Sequence, residues 1–137
     1  MSEQKLVALP EPDLSELSRP FWEALKQGEL TFQRCSGCGH AWLPARDECP
    51  QCLHASWKRE SAAGGATLVS WVVYRHAYHP AFAQRLPYTV AVVQLDEGPR
   101  MVTNIVGADP VQLGIDQRLA LQIEQDGALA VPRFRTA

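Results

Sequence analysis

Long apolar runs are missing from this sequence, and so is a start of the kind that directs export. No stretch approaches the roughly 18 consecutive apolar residues of a membrane-spanning helix, and no positively charged start precedes an apolar core. We therefore expect a cytoplasmic protein without a membrane partner. Thiols stay reduced in that compartment, where they are free to bind metal.

A strong net charge is missing as well. Thirteen Lys and Arg residues oppose fifteen Asp and Glu residues, which leaves a net charge of −2 over 137 residues and no general attraction to nucleic acid. Common motifs of phosphate binding and hydrolysis are also absent: the chain has no Gly-x-Gly-x-x-Gly, phosphate loop, His-Glu-x-x-His or Gly-x-Ser-x-Gly. These absences favour a protein that is not an enzyme by itself.

Cysteine is absent except between residues 35 and 52, where all four cysteines form two Cys-x-x-Cys pairs ten residues apart. The two-residue gap lets both thiolates of a pair reach one ion, and two pairs complete a tetrahedral set at zinc–sulfur distances of about 2.3 Å. We predict one structural zinc, bound by Cys35, Cys38, Cys49 and Cys52, with no open position for catalysis and no thiol left as a nucleophile.

Two alternatives use the same four cysteines. Disulfides or redox dithiols are one, although a thioredoxin-type site needs a strand–helix context that is missing here. The iron of an electron carrier is the other, and the colour of the purified protein would reveal it. His40 and His54 flank the pairs and could replace a ligand, but with four cysteines present we expect them at the surface or beside the ligands.

One short helix and a series of strands make up the predicted fold. Residues 1–13 are polar and predict an extended or disordered arm. Pro20 and Gly28 are placed as a helix start and a helix end require. The predicted helix has one apolar face, which either packs on the rest of the protein or forms a lid over a groove; the face carries Phe21, Trp22 and Leu25.

From Ala66 onward, apolar residues recur at the period of β-strands. Five strands follow, with one helical turn possible between the third and the fourth, at residues 67–74, 88–95, 101–106, 118–124 and 128–134. This pattern matches a five-stranded OB-fold barrel. We therefore expect a mainly β protein: an arm and helix at 1–28, a zinc ribbon at 29–63, and a barrel at 64–137. The first barrel strand is apolar on both faces and should be covered on both sides. Pro132 should restrict the last one to an edge or a strand end.

Several motifs together resemble a known family. They are Phe21-Trp22 with Gly28-Glu29-Leu30, Arg34-Cys35-Ser36-Gly37-Cys38-Gly39, Leu43-Pro44-Ala45-Arg46 before Cys49-Pro50-Gln51-Cys52, Trp57, Pro87-Tyr88, Val93-Gln94-Leu95-Asp96-Glu97-Gly98 and Pro132-Arg133-Phe134. Over roughly residues 20–135 the chain is similar to the zinc-ribbon OB-fold proteins that accompany thiolase-like enzymes, formerly a domain of unknown function. It departs from the family pattern at Ala45 and at Gly64-Gly65-Ala66.

The resemblance implies a rubredoxin-like zinc ribbon joined to an OB-fold barrel. It also implies a non-catalytic accessory subunit, in a hetero-oligomer with a thiolase, a sterol-carrier-type thiolase, an acyltransferase or an aldolase. Such a complex binds acyl-CoA and makes or breaks a carbon–carbon bond, and the partner supplies the catalytic residues.

A coenzyme A thioester as ligand of the complex would need cations for its phosphates and an apolar wall. Residues 19–59 carry a local charge of +2 and three tryptophans. The candidate ligand-binding residues are Arg46, Trp42, Arg34, Lys58 and Trp22. A solvated face with packing tryptophans is the alternative.

Two other functions stay open. Zinc ribbons and OB-folds also bind single-stranded nucleic acid, although the acidic balance and the lack of a basic, aromatic barrel strand count against it. His76 and His79 lie in a predicted loop, where they could hold a second metal or act as an acid–base pair; ordinary surface positions are the alternative.

Overall fold

The computed structural model of the protein describes residues 9–137. Within that range the chain forms one helix, α1 (Arg19–Lys26), and eight strands: β1 (Thr31–Cys35), β2 (Ala41–Trp42), β3 (Trp57–Ser61), β4 (Gly65–Tyr74), β5 (Tyr88–Leu95), β6 (Arg100–Ile105), β7 (Arg118–Asp126) and β8 (Leu129–Thr136). Two 3-10 turns lie in the loops, at Pro80–Phe82 and Pro110–Gln112. The first eight residues of the predicted N-terminal arm lie outside the described residues.

The helix forms where the proline and glycine predicted it. Pro20 lies in its first turn, and Gly28 follows its end at a φ of +85°, a backbone conformation that glycine adopts without strain. Phe21 and Leu25 are buried in the main core. Trp22 is half-buried and contacts Phe21 edge to face, with ring centroids 5.3 Å apart. The apolar face therefore packs on the protein, and Trp22 stays at its margin.

The first three strands form the small antiparallel sheet β2-β1-β3. Arg34 pairs with Lys58, and Cys35 pairs with Trp57. Alternation along β1 places Phe32 and Arg34 on one face of the sheet, and Gln33 and Cys35 on the other. The sheet thus delivers its first cysteine to the same face as the tryptophans of the ribbon.

The last five strands close a barrel in the order β4-β5-β6-β8-β7. The 3-10 turn at Pro110–Gln112 lies between β6 and β7, where the sequence left room for a helical turn. This is the order of an OB-fold, so the predicted class, a mainly β protein with helix, zinc ribbon and five-stranded barrel, is confirmed. The exact limits 1–28, 29–63 and 64–137 stay a prediction.

Pro132 does not lie at a strand end, contrary to expectation. It stands in the middle of β8 and pairs with Ile123 of β7. Its carbonyl accepts a hydrogen bond from the Thr103 hydroxyl of β6, at 2.8 Å, so its peptide edge faces β6. The ladder between β6 and β8 consists of one pair, Ile105 with Phe134. Proline is tolerated here because the N–H that it lacks would face a side without a ladder.

The first barrel strand also departs from the prediction. Ala66 and Leu68, in its first half, are fully buried. In its second half Val72 is 55% exposed, so the strand is not covered on both sides. Trp71 of this half packs against the core, whereas Val72 faces outward because neighbouring side chains of a strand alternate between its two faces.

Candidate metal centre and adjoining groove

The four cysteines converge on one point. Their sulfur atoms all lie within 4.8 Å of one another. Two sulfur–sulfur contacts join the two pairs: Cys35 to Cys52 at 3.5 Å and Cys38 to Cys49 at 3.6 Å. A tetrahedron with zinc–sulfur bonds of about 2.3 Å has edges of about 3.8 Å. The thiols are therefore already spaced as zinc ligands.

The two turns that present the cysteines are built alike. In the first turn, the amides of Gly37 and Cys38 donate to the Cys35 sulfur at 3.3 and 3.4 Å. In the second, the amides of Gln51 and Cys52 donate to the Cys49 sulfur at 3.4 and 3.5 Å. Amide donors of this kind stabilise a thiolate and orient it as a ligand.

These hydrogen bonds lower the pKa of the two thiols that accept them, Cys35 and Cys49. The Cys38 amide, only partly opposed by burial, lowers the pKa of Cys35 to about 6. Burial opposes ionisation of Cys49, but the Cys52 and Gln51 amides outweigh it and lower its pKa. At Cys52, the His54 amide favours the thiolate and lowers the pKa. Contact with the Cys35 thiol and burial outweigh this effect and raise the pKa of Cys52 to about 12. Zinc is bound by thiolates, so binding of the ion would deprotonate all four cysteines.

Zinc fits this site by number, donor type and spacing of its ligands. Among the described residues, the four cysteines are the group of at least three His, Cys, Asp or Glu side chains close enough to hold an ion. His40 instead stacks on Trp42, with ring centroids 6.3 Å apart, and His54 accepts a hydrogen bond from the Ser56 amide at 3.2 Å. With four protein ligands, the ion would be structural.

The predicted acyl-CoA residues do not share one face. Trp42 is 5% exposed and packs with Cys35 and Cys49 as a wall of the metal site. The guanidinium of Arg34 is engaged: it donates to Glu60 at 2.9 Å and to the carbonyls of Gly39 and Glu97, at 2.9 and 3.4 Å. Both residues therefore hold the ribbon together, although the Arg34 side chain stays 34% exposed.

Arg46, Lys58 and Trp22 are more accessible. The side chains of Arg46 and Lys58 are exposed, and they enter none of the hydrogen bonds or ion pairs identified within residues 9–137. Trp22 lines the groove described below, to which neither Arg46 nor Lys58 contributes. Whether any of the five contacts acyl-CoA stays a prediction.

Gln33 is a positioning residue that the sequence did not reveal. Its side chain is almost fully buried, and it clamps the backbone of Arg46: its amide nitrogen donates to the Arg46 carbonyl at 2.8 Å, and its amide oxygen accepts from the Arg46 amide at 2.9 Å. The available signal was a glutamine at an inward position of a ribbon strand.

An apolar groove beside the ribbon was also missed. It measures about 520 Å³ and runs between the helix, the loop after β2 and the barrel; its lining residues are Phe21, Trp22, Leu43, Pro44, Val92, Arg100, Met101, Val102, Thr103, Asn104, Val131 and Pro132. No sequence pattern could predict it, because three separate parts of the chain form its walls.

The two loop histidines take structural positions. The imidazole of His79 accepts a hydrogen bond from the Ala81 amide at 3.0 Å and caps the 3-10 turn. His76 contacts Tyr78 edge to face, with centroids 4.8 Å apart. Neither belongs to the metal-holding group found in the described part of the chain.

Two family models match this chain. The ChsH2 rubredoxin-like zinc ribbon domain matches residues 22–57, and the ChsH2 C-terminal OB-fold domain matches residues 60–124. The two matches follow one another along the chain as the ribbon and the barrel do. No helix among the described residues is long and apolar enough to cross a membrane.

Similar proteins cover almost the whole chain. A probable enoyl-CoA hydratase alpha subunit of Thermomonospora curvata is 40% identical, over 99% of this chain and 43% of the relative. A DUF35 domain-containing scaffold protein of Methanocaldococcus jannaschii is 29% identical, over 77% of this chain and 78% of the relative. A solved structure of an Ltp2-ChsH2(DUF35) aldolase is similar at a TM-score of 0.80 and 37% identity, over 92% of this chain and 98% of that chain. The chain thus spans less than half the length of the hydratase subunit.

Proposed function

We propose, since this chain belongs to the DUF35 family of ChsH2-type zinc-ribbon and OB-fold proteins, that it is a non-catalytic accessory subunit of a thiolase-like complex. The complex acts on acyl-CoA thioesters and makes or breaks a carbon–carbon bond. The partner is a thiolase, a sterol-carrier-type thiolase or an aldolase, and it supplies the catalytic residues.

One observation carries this proposal: the chain matches a chain of the Ltp2-ChsH2(DUF35) aldolase along nearly the full length of both. The chemistry of the site agrees with a supporting role. Zinc in a four-cysteine site has no open position for substrate. The metal therefore stabilises the ribbon, and in this proposal the partner supplies the catalytic groups.

In this proposal the ribbon contributes cations to the acyl-CoA site. Arg46 and Lys58 are exposed and can reach phosphate groups. Arg34 and Trp42 have a supporting role, since they stabilise the fold of the ribbon that carries these cations. Gln33 fixes the backbone from which Arg46 extends.

Reconstitution tests the proposal. The zinc-loaded chain alone should show no turnover of acyl-CoA thioesters. Mixed with the thiolase-like protein encoded beside it, it should co-elute in size-exclusion chromatography and raise that protein's activity. In the assembled complex, Arg46→Ala should weaken acyl-CoA binding measured by calorimetry, whereas Arg75→Ala, which changes another exposed arginine in the loop after β4, should not.

Separate elution with no change in rate would contradict the proposal. A salt-titrated binding assay with single-stranded DNA would then test the nucleic-acid alternative, because phosphate contacts produce a steep dependence on salt. Equal acyl-CoA affinities of wild type and Arg46→Ala would remove Arg46 from the site and leave the subunit role intact.

A further inference from the structure

The barrel wall is incomplete between β6 and β8. β6 is paired with β5 from Arg100 to Ile105, along its whole length. Toward β8 it has one paired residue, Ile105 opposite Phe134. The ladder therefore leaves the first part of β6 without a partner strand on this side.

The direction of the backbone N–H and C=O groups shows which groups of β6 lack a partner strand. The Val106 amide donates to the Phe134 carbonyl at 2.9 Å, so the peptide groups of Val106 face β8. Because this direction alternates along a strand, the peptide groups of Val102 and Arg100 face the same side. The segment of β8 across from them offers few backbone groups for hydrogen bonding, because Pro132 has no N–H and its carbonyl already accepts from the Thr103 hydroxyl.

The apolar groove lies along this edge. Trp22 and Leu43 contribute to one wall, and Val102, which is 69% exposed, contributes to the other. Arg100 is the one charged residue among the lining residues, all of which are described, and no carboxylate lines the groove. The Arg100 guanidinium donates to the Gln94 side chain at 3.1 Å and enters no ion pair identified within residues 9–137.

We infer that an extended segment of the catalytic subunit binds in this groove and adds a strand to the free edge of β6. The segment pairs its backbone with Arg100 and Val102, directs apolar side chains toward Trp22 and Leu43, and carries a carboxylate that meets Arg100. Strand addition at an unpaired edge gives affinity through backbone hydrogen bonds and specificity through the flanking pockets. The inference rests on the proposed function and names the surface that the partner uses.

A peptide fits this groove better than an acyl chain does. Both would satisfy the apolar walls, but a hydrocarbon chain has no donors or acceptors for the free N–H and C=O groups of β6. Covering those groups without pairing them would cost the free energy of desolvating each one. A peptide in extended conformation places one donor and one acceptor on that side at every second residue.

Hydrogen exchange of the reconstituted complex tests the inference directly. The amides of Arg100 and Val102 should exchange rapidly in the zinc-loaded chain alone and at least about tenfold more slowly in the complex, as one new backbone hydrogen bond for each predicts. The amides of Met101 and Thr103, which face β5, should be slow in both states.

A matched pair of variants tests it independently. Val102→Pro removes the N–H that faces the groove and leaves the ladder with β5 in place, because proline is tolerated at an edge when its nitrogen faces outward. It should weaken the complex about tenfold or more. Val102→Thr keeps the N–H and the side-chain volume, and it should bind nearly as well as wild type. Arg100→Glu should weaken the complex, and Arg75→Glu should not.

Three results would overturn the inference. If the complex forms while these amides stay unprotected and Val102→Pro binds normally, the edge is not the docking site, but the accessory role survives. If octanoyl-CoA alone protects the amides in the absence of the partner, the groove is an acyl site. If the wild-type chain forms no complex, the inference and the proposed function both fail. Should Val102→Pro not fold, as judged by circular dichroism, the exchange data on the wild type decide.

Discussion

At the scale of single residues, the two cysteine turns differ at the residue that follows each one. The Gly39 amide donates to the Cys35 carbonyl, and the Leu53 amide donates to the Cys49 carbonyl in the same way. Both residues adopt positive φ, +78° at Gly39 and +65° at Leu53. This conformation suits glycine but costs a residue with a side chain about 1–2 kcal/mol. Leu53 is 67% exposed, so packing returns little of that cost.

Leu53→Gly should therefore stabilise the zinc-loaded protein by about 1 kcal/mol. Gly39→Ala, its counterpart in the first turn, should destabilise by a similar amount. Urea unfolding with zinc present measures both. Leu53→Ala is the matched control, because it removes the exposed side chain and keeps the unfavourable φ. Equal stability of Leu53→Gly and Leu53→Ala would show that the turn carries no such cost.

At the scale of elements, one carboxylate ties the loop at residues 75–87 to the hairpin of β7 and β8. Asp126 is 11% exposed and accepts hydrogen bonds from Arg85 of the loop, at 2.9 Å, and from Arg133 of β8, at 2.7 Å. Arg133 also donates to Glu124 at 2.9 Å. The bond from Arg85, supported by Arg133, holds the pKa of Asp126 well below its usual range. The loop is thus held to the barrel by these charged hydrogen bonds, and Phe82 of the loop also contacts Tyr88 of β5, with ring centroids 5.7 Å apart.

Asp126→Asn should destabilise the protein at neutral pH by roughly 1–3 kcal/mol, as the loss of charge-assisted hydrogen bonds predicts. A lowered pKa in the folded state contributes stability above the unfolded value, near 3.9, and loses it as the pH falls through the folded value. The difference between wild type and Asp126→Asn should therefore shrink below about pH 4. Thermal unfolding at several pH values measures this difference. Asp96→Asn, which removes an exposed pair with Arg118, is the control and should have a smaller effect. A difference that is constant down to pH 2 would contradict the assignment.

At the scale of the whole molecule, the helix, the ribbon and the barrel share one core. Phe21 and Leu25 of the helix, and Leu30 at the entry to β1, pack with Leu68 and Phe134 of the barrel. The Ala63 amide donates to the Glu97 side chain at 2.7 Å, and Arg34 reaches the Glu97 carbonyl, so the joint is tied from both sides. Unfolding of the ribbon should therefore destabilise the barrel.

Cys38→Ser should lower the zinc content well below one ion per chain, measured by metal analysis, and should also lower the melting temperature of the barrel. Zinc binding supplies the folding free energy of ribbons this small, so the ribbon should unfold without it. The barrel then loses the packing of Leu30 and the joint contacts. Gln51→Ala, which keeps the amide that donates to Cys49, is the matched control. A barrel that melts at an unchanged temperature without zinc would show that the two parts fold independently.

Local sequence patterns predicted a large part of this protein. The spacing of the cysteines is a local property, and a turn of two intervening residues directs both thiols to one ion wherever it occurs, so Cys35, Cys38, Cys49 and Cys52 could be named together. The limits of the helix were also predictable from local sequence, because Pro20 and Gly28 act through their own backbone conformations. The alternation of apolar residues located the barrel strands to within a few residues.

Only the tertiary structure decided which side chains are free to act. Arg34 and Arg46 look alike in the sequence, but the Arg34 guanidinium is engaged by three acceptors, two of them distant along the chain, whereas Arg46 stays exposed. Pro132 stands inside a strand because β6 and β8 diverge there. The groove and the free edge of β6 depend on how far β6, β8 and the helix lie from one another. Such distances arise from closing the barrel around one core, a constraint that acts between residues far apart in the chain and leaves no local pattern.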